Sequence, residues 1–260
     1  MASAQFDYAD GQVRPTHKAL LEQYAAASQA ALAQATALDL RYGPHPRQTL
    51  DLFRAPGTAR ATFVYFHAGY WQSRDKQDFR FLAPPLMADG FNVALVNYPL
   101  CPEVTVAEIN AATLAAMPGI LALLGDAPVI MAGHSAGGQI VVEIGMAGQS
   151  PVAGIVAISG VFDLVPLIGT SINARLGLDE AAAHAASPAY RTLPGPPALF
   201  MVGSEETAGF REQTRQMFTA WEAAGNDAQH IIVPGADHFS ILQRLCDPAD
   251  PFGTAVRGLV

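Results

Sequence analysis

A short apolar run, Pro128 to Ala132, stops at Gly133-His134-Ser135-Ala136-Gly137-Gly138, and an amphipathic run from Gln139 to Met146 follows at once. No other stretch limits the fold so tightly. A buried strand must end here, the chain must turn sharply, and a helix must begin, with Ser135 at the apex. The pentapeptide fits G-x-S-x-G in the strand–turn–helix context that this motif requires. The spacing has a steric cause. A serine on a strained turn tolerates no bulky residue two positions away on either side, so small residues let strand and helix approach. The helix then directs the N–H groups of its first turn, including that of Ala136, toward any anion formed beside Ser135. The competing reading is a glycine-rich turn with an incidental serine, and the matching flanks argue against it.

The chain of 260 residues is long for one domain but within the range of large α/β folds. Half of it is hydrophobic and 15% is charged, as in compact globular enzymes. A net charge of -8 argues against nucleic acid and against an anionic membrane surface. Two cysteines, Cys101 and Cys246, make no disulfide framework and match no metal motif, so reduced, buried thiols are expected. Met1 to Arg14 has neither a basic nor an apolar signal region, and no run reads as long enough to span a bilayer. A cytoplasmic protein is the expectation.

Taken in order, Thr16 to Ala35 reads as a helix laid on the domain, and Ala37–Tyr42 and Gln48–Phe53 as short strands around the turn Gly43 to Pro46. Thr62–Phe66 is a β-branched and aromatic strand that runs into the small-residue loop His67 to Trp71. Asp75–Leu86 is helical and Asn92–Asn97 is a strand. A helix from Val106 follows, which Pro118-Gly119 should kink or split before Leu124. Strands are expected at Val152–Ile158, Ala198–Val202 and Gln229–Val233, with a helix over Phe210–Ala224 and another from about Ser240. The stretch Phe162 to Pro188 is irregular. Strands alternating with helices imply parallel β-α-β units with helices on both faces, in a single domain with a small lid-like insertion at about 162–188.

A serine hydroxyl needs a base, a group that orients the base, and donors for the oxyanion. With partners in the order Ser…Asp/Glu…His, each after a strand, His238 is the base candidate because it follows the last strand. The orienting acid has three candidates. Glu205 and Glu206 follow the strand that ends at Val202, and Asp163 follows the strand before it. Asp237 is too close in sequence to His238. Backbone N–H groups of Gly69 and Tyr70 would complete the oxyanion site with Ala136, and small residues there let the backbone approach a carbonyl. Tyr70, Trp71 and Phe162 are expected to contact substrate; core packing is the alternative for the aromatics. A metal held by His67, His134 and His238 is disfavoured by the absence of nearby ligand pairs. No metal and no cofactor is expected.

Together these residues resemble the α/β-hydrolase superfamily and, within it, the serine-type kynurenine formamidases (arylformamidases), from Gln48 onward. The loop His67-Ala68-Gly69-Tyr70-Trp71 resembles the family's H-G-G-x-W, and Asn97-Tyr98-Pro99-Leu100-Cys101-Pro102 its N-Y-x-L-x-P. Gly133 to Gly138 resembles its elbow, and Ser159-Gly160-Val161-Phe162-Asp163-Leu164 the segment after the next strand. Asp237-His238-Phe239 resembles the base segment, and a gapless match from Val202 to Gln213 sets Glu206 on the acid position. Ala68 replaces the first glycine of the loop, and Glu206 stands where aspartate is usual. The resemblance implies an α/β-hydrolase fold and hydrolysis of an aryl formamide or a short-acyl amide or ester. The alternatives are a general short-chain carboxylesterase or amidase, and a non-catalytic binding protein on the same fold. A small-molecule substrate is the expected partner, and a homodimer is left open.

Overall fold

Five apolar stretches of five or six residues, each bounded by turn residues, become strands buried along their whole length: β3 (Ala61–Phe66), β4 (Phe91–Val96), β5 (Val129–His134), β6 (Gly154–Ile158) and β7 (Ala198–Gly203). Such runs bury both faces, as a sheet covered by helices requires. The partly exposed strands β1 (Ala37–Arg41) and β8 (Ala228–Val233) form the two edges, with β2 (Thr49–Phe53) beside β1. The order is β1-β2-β4-β3-β5-β6-β7-β8. From β4 to β8 every pairing is parallel, and β2 is antiparallel to both its neighbours. This computed structural model describes residues 3–148, 152–247 and 249–260.

The helices are α1 (Ala4–Tyr8), α2 (His17–Ala31), α3 (Ala83–Ala88), α4 (Val106–Leu124), α5 (Ala136–Ala147), α6 (Asn173–Leu176), α7 (Glu180–Ala185), α8 (Ala208–Ala223), α9 (Ile241–Leu245) and α10 (Pro251–Arg257). One apolar cluster joins α4, α5 and α8 to one side of the sheet. A second joins α2, α3, α9 and α10 to the other. Between 162 and 188 the chain forms short helical turns and no strand.

Two expectations need correction. Helix α4 runs unbroken through Pro118, with Val106, Ile109, Thr113, Met117, Ile120 and Leu124 buried at helical spacing. Packing of that face outweighs the single backbone hydrogen bond that proline removes. At 19 residues the unbroken helix is long and apolar enough to cross a membrane by length and composition, contrary to the expectation that no run is; here its apolar face lies in the core.

The register brings the carboxyl ends of the parallel strands to one edge. Phe66 stands beside Gly133, His134 beside Ile158, Ile158 beside Met201, and Gly203 beside Val233. The loops after β3, β5, β6, β7 and β8 therefore gather there, where ligands bind in open α/β sheets.

Candidate active site

Ser135 caps the end of β5 with φ 56° and ψ −117°, a conformation that L-residues adopt rarely and that clusters at functional sites. Its N–H donates to the Ile158 carbonyl at 2.8 Å, which ties the turn to β6. The glycine at 137 answers a close approach, since a Cβ there would lie 2.0 Å from the carbonyl oxygen of Phe66 on β3. Helix α5 thus starts hard against the sheet edge.

The loop after β3 is set by its backbone. Gly69 has φ 125°, and Tyr70 and Trp71 have φ 52° and 55°. Ala68 is not among the positive-φ residues, so alanine fits there without strain. Among the described residues the N–H groups of Gly69, Tyr70 and Ala136 donate to no other backbone group outside the helices and strands. The stretch 97–102 secures this loop. The Tyr98 hydroxyl donates to the His67 carbonyl at 2.7 Å, and Cys101 N–H donates to the Trp71 carbonyl at 2.7 Å. Asn97 accepts from Lys76 N–H at 2.7 Å and donates to Asp75 at 2.6 Å. The two signature segments are thus halves of one hydrogen-bonded unit. His67 lies inside it, stacked on Tyr98 with ring centroids 4.4 Å apart, and burial pushes its pKa down to about 4.

Beyond β7 and β8, the three candidate acids differ in burial and in hydrogen-bond partners. Glu206 is buried, and its Oε2 accepts from His238 Nδ1 at 2.8 Å. Its Oε1 accepts from Ser159 Oγ at 2.5 Å and from Gly203 N–H at 2.8 Å. Glu205 is exposed. Asp163 is occupied by its own turn, its Oδ1 accepting from Val165 N–H at 2.9 Å. A carboxylate on Nδ1 fixes the imidazole tautomer and leaves Nε2 as a proton acceptor. The His238 ring lies 4.3 Å from that of Phe210 and 4.6 Å from that of His134, which precedes Ser135. His134 is buried with both ring nitrogens unpartnered among the described residues, and burial holds its pKa well below the imidazole range.

Trp71 and Phe162 do not face an open pocket as expected. Trp71 is fully enclosed and its indole N–H donates to Gln139 on α5 at 3.2 Å. Phe162 is fully enclosed too, edge-on to Phe200. Both rings gain more from core burial than they could from a solvent-filled wall. Tyr70 is only partly buried, and its hydroxyl donates to the Tyr8 carbonyl. A cavity of about 90 Å³ lies alongside, its wall including Ala68, His134 and Phe239, the chain neighbours of Gly69, Ser135 and His238. Phe79, Tyr24 and Arg74 also line it.

The sequence reading placed a helix over Thr16 to Ala35 but missed how the N-terminal segment, Tyr8 to His17, meets the site loops. The Tyr8 hydroxyl accepts from Gln213 at 3.0 Å, Gln12 donates to Thr207 at 2.6 Å, and His17 Nε2 stands 3.2 Å from Asp237 Oδ2. These residues cover the loops that carry Tyr70, Glu206 and His238. They have no motif of their own, so no local signal could have found them. Ser159 was visible only as part of a matching segment. Among the described residues no group of three or more His, Cys, Asp or Glu side chains is placed to hold a metal ion.

Residues 63–242 match the model of a protein family described by its α/β-hydrolase fold. The chain belongs to that family. As a hydrolase-family member it is 28% identical to the kynurenine formamidase of Danio rerio over 230 residues, 82% of this chain and 78% of that protein. It is 29% identical to the kynurenine formamidase of Drosophila melanogaster over 225 residues, 78% and 75% of the two chains. A crystal structure from Silicibacter sp., provisionally named a thioesterase, superimposes with a TM-score of 0.87 at 30% identity over 100% of this hydrolase and 99% of that chain.

Proposed function

We propose that this hydrolase cleaves an aryl formamide of the N-formylkynurenine type, or a similar short-acyl amide or ester, through an acyl-enzyme on Ser135. The contact between Glu206 and His238 carries the reading. A buried carboxylate 2.8 Å from Nδ1 supports a base whose Nε2 is free to take the serine proton. Ser135 Oγ attacks the acyl carbon as Nε2 of His238 receives its proton. The oxyanion lies against the N–H groups of Gly69, Tyr70 and Ala136. The bond to the leaving nitrogen or oxygen breaks, and His238 returns the proton to it, leaving the acyl group on Ser135. Water then gives a proton to Nε2 and attacks the acyl carbon. Collapse of that second intermediate releases the short acid, and Ser135 Oγ recovers its proton from His238.

The formamide as substrate is favoured by the two relatives named kynurenine formamidase. A general short-chain carboxylesterase or amidase is the second reading, favoured by the thioesterase name of the Silicibacter neighbour. A matched panel of formyl, acetyl and butyryl amides of one aromatic amine separates the two. Formyl should exceed butyryl in kcat/KM by roughly 10-fold or more, since each added methylene must find room in the acyl site. Butyryl equal to or above formyl would replace the formamidase reading with the general one.

A further inference from the structure

Glutamate has three side-chain torsions, so a buried carboxylate on its end has many ways to present the wrong oxygen. In this protein one hydroxyl narrows that choice. Ser159 is the first residue after β6, fully buried, and held at φ 48°. A serine at positive φ is uncommon, and such residues persist where the surroundings enforce them. Its N–H donates to the Met201 carbonyl on β7 at 2.6 Å, which fixes its backbone to the strand that leads into the acid loop. Its Oγ then donates to Glu206 Oε1 at 2.5 Å, while Gly203 N–H from the end of β7 reaches the same oxygen at 2.8 Å. Two donors from neighbouring strands occupy Oε1. Oε2 is the oxygen left for His238 Nδ1, at 2.8 Å.

We propose that Ser159 is a positioning residue of the hydrolytic reaction, acting through Glu206 to hold its carboxylate in the orientation that fixes the His238 tautomer. Ser159 touches neither substrate nor nucleophile. The proposal rests on the reading of Ser135, His238 and Glu206 as a triad. Its consequence is a specific pattern of kinetic losses. Without the hydroxyl, Glu206 retains one clamp, the Gly203 N–H, and can turn about its last torsion. The imidazole then spends part of its time in the wrong tautomer, which lowers the rate of proton transfer and leaves substrate binding alone.

Ser159→Gly separates this role from a structural one, because glycine accommodates the positive φ while removing the hydroxymethyl group, and Ser159→Ala removes the hydroxyl alone. Steady-state kinetics on the aryl formamide or on an activated short-chain ester should show kcat reduced roughly 10- to 100-fold, as for loss of a hydrogen bond to a charged group, with KM within about twofold. Ser159→Ala, which keeps the strain and lacks the hydroxyl, should match it. In a Glu206→Gln background, Ser159→Gly should cost less than about twofold more, since residues that act through one another do not add. Thermal melting of each variant reports folding independently. A well-folded Ser159→Gly variant with full kcat, or losses that multiply in the double variant, would overturn the proposal. Failure of the triad reading looks different: Ser135→Ala would then retain activity whatever Ser159 does.

Discussion

The two halves of the candidate site differ in what chiefly sets their key groups. On the side of β6, β7 and β8, the proposed acid and base are held by side-chain hydrogen bonds: Ser159 and Gly203 on one oxygen of Glu206, His238 on the other. On the side of β3 and β5, the proposed nucleophile and the loop 67–71 are set by backbone shape, with positive φ at Gly69, Tyr70, Trp71 and Ser135. The first half fails when an atom is removed. The second, apart from the Ser135 hydroxyl, fails when one is added, because its proposed donors are main-chain N–H groups that no side-chain truncation can delete.

The largest effect is expected at Ser135, whose hydroxyl meets the proposed base on the other half. Ser135→Ala should cost about 10⁶ in kcat, the loss typical of triad removal, while the melting temperature stays near that of the parent. Fluorophosphonate labelling should vanish with it. On the hydrogen-bonded side, Glu206→Gln should lower kcat by about 10⁴, as when a triad acid becomes its amide and the tautomer is wrong. If that variant keeps most of its turnover, the hydrogen-bonded half has been misassigned.

On the backbone side, Gly69→Ala adds one carbon. That Cβ would lie 2.2 Å from the Ser73 carbonyl oxygen, at a φ of 125° that alanine disfavours. The loop must shift, and an oxyanion donor moves with it. A loss of about 10² to 10³ in kcat is expected. Unchanged kinetics in a folded variant would mean that the loop conformation does not matter to the reaction.

A pH titration of stability probes the buried imidazole at the start of this loop, His67. Burial takes His67 from the usual imidazole value of 6.5 to about 4. Above pH 6.5 it is neutral folded or unfolded, and full stability is present. As pH falls from 6.5 toward 4, the unfolded chain takes up a proton that the folded protein refuses. Stability therefore drops through that window, by about 3 kcal/mol from this group, and levels off below it. Denaturant midpoints measured at pH 7, 5.5 and 4.5 should decline in that order. His134, shifted the same way by burial, adds to the slope. The smallest effect belongs to Glu205, which is exposed: Glu205→Gln should leave kcat within about twofold. A reversal between Glu205 and Glu206 would move the acid by one residue and undo the hydrogen-bonded half as described.

Much of the site could be read from the sequence because its parts are contiguous. The turn at Ser135 is a strand end, small residues and a helix start within eleven positions, and each is set by nearest neighbours. The loop 67–71 and the segment 97–102 were likewise recognisable as strings. The function of the second segment, tying down the first, appears only when β3 and β4 pair in parallel and bring Tyr98 under His67.

What the tertiary structure alone decided lies between residues far apart in the chain. Glu205 and Glu206 are indistinguishable in composition, and only the close of the β7 loop buries one and exposes the other. Ser159 and Glu206 are 47 positions apart, so no local pattern pairs them. Tyr8 meets Gln213 across 205 positions. Trp71 and Phe162 look like pocket aromatics by their place beside the motifs, but the packing of α5 and α8 against the sheet encloses both. Short-range sterics fix the turn that bears Ser135. Burial and hydrogen bonding between distant strands set Glu206 apart from the other candidate acids and turn it toward His238, and those exist only once the sheet has formed.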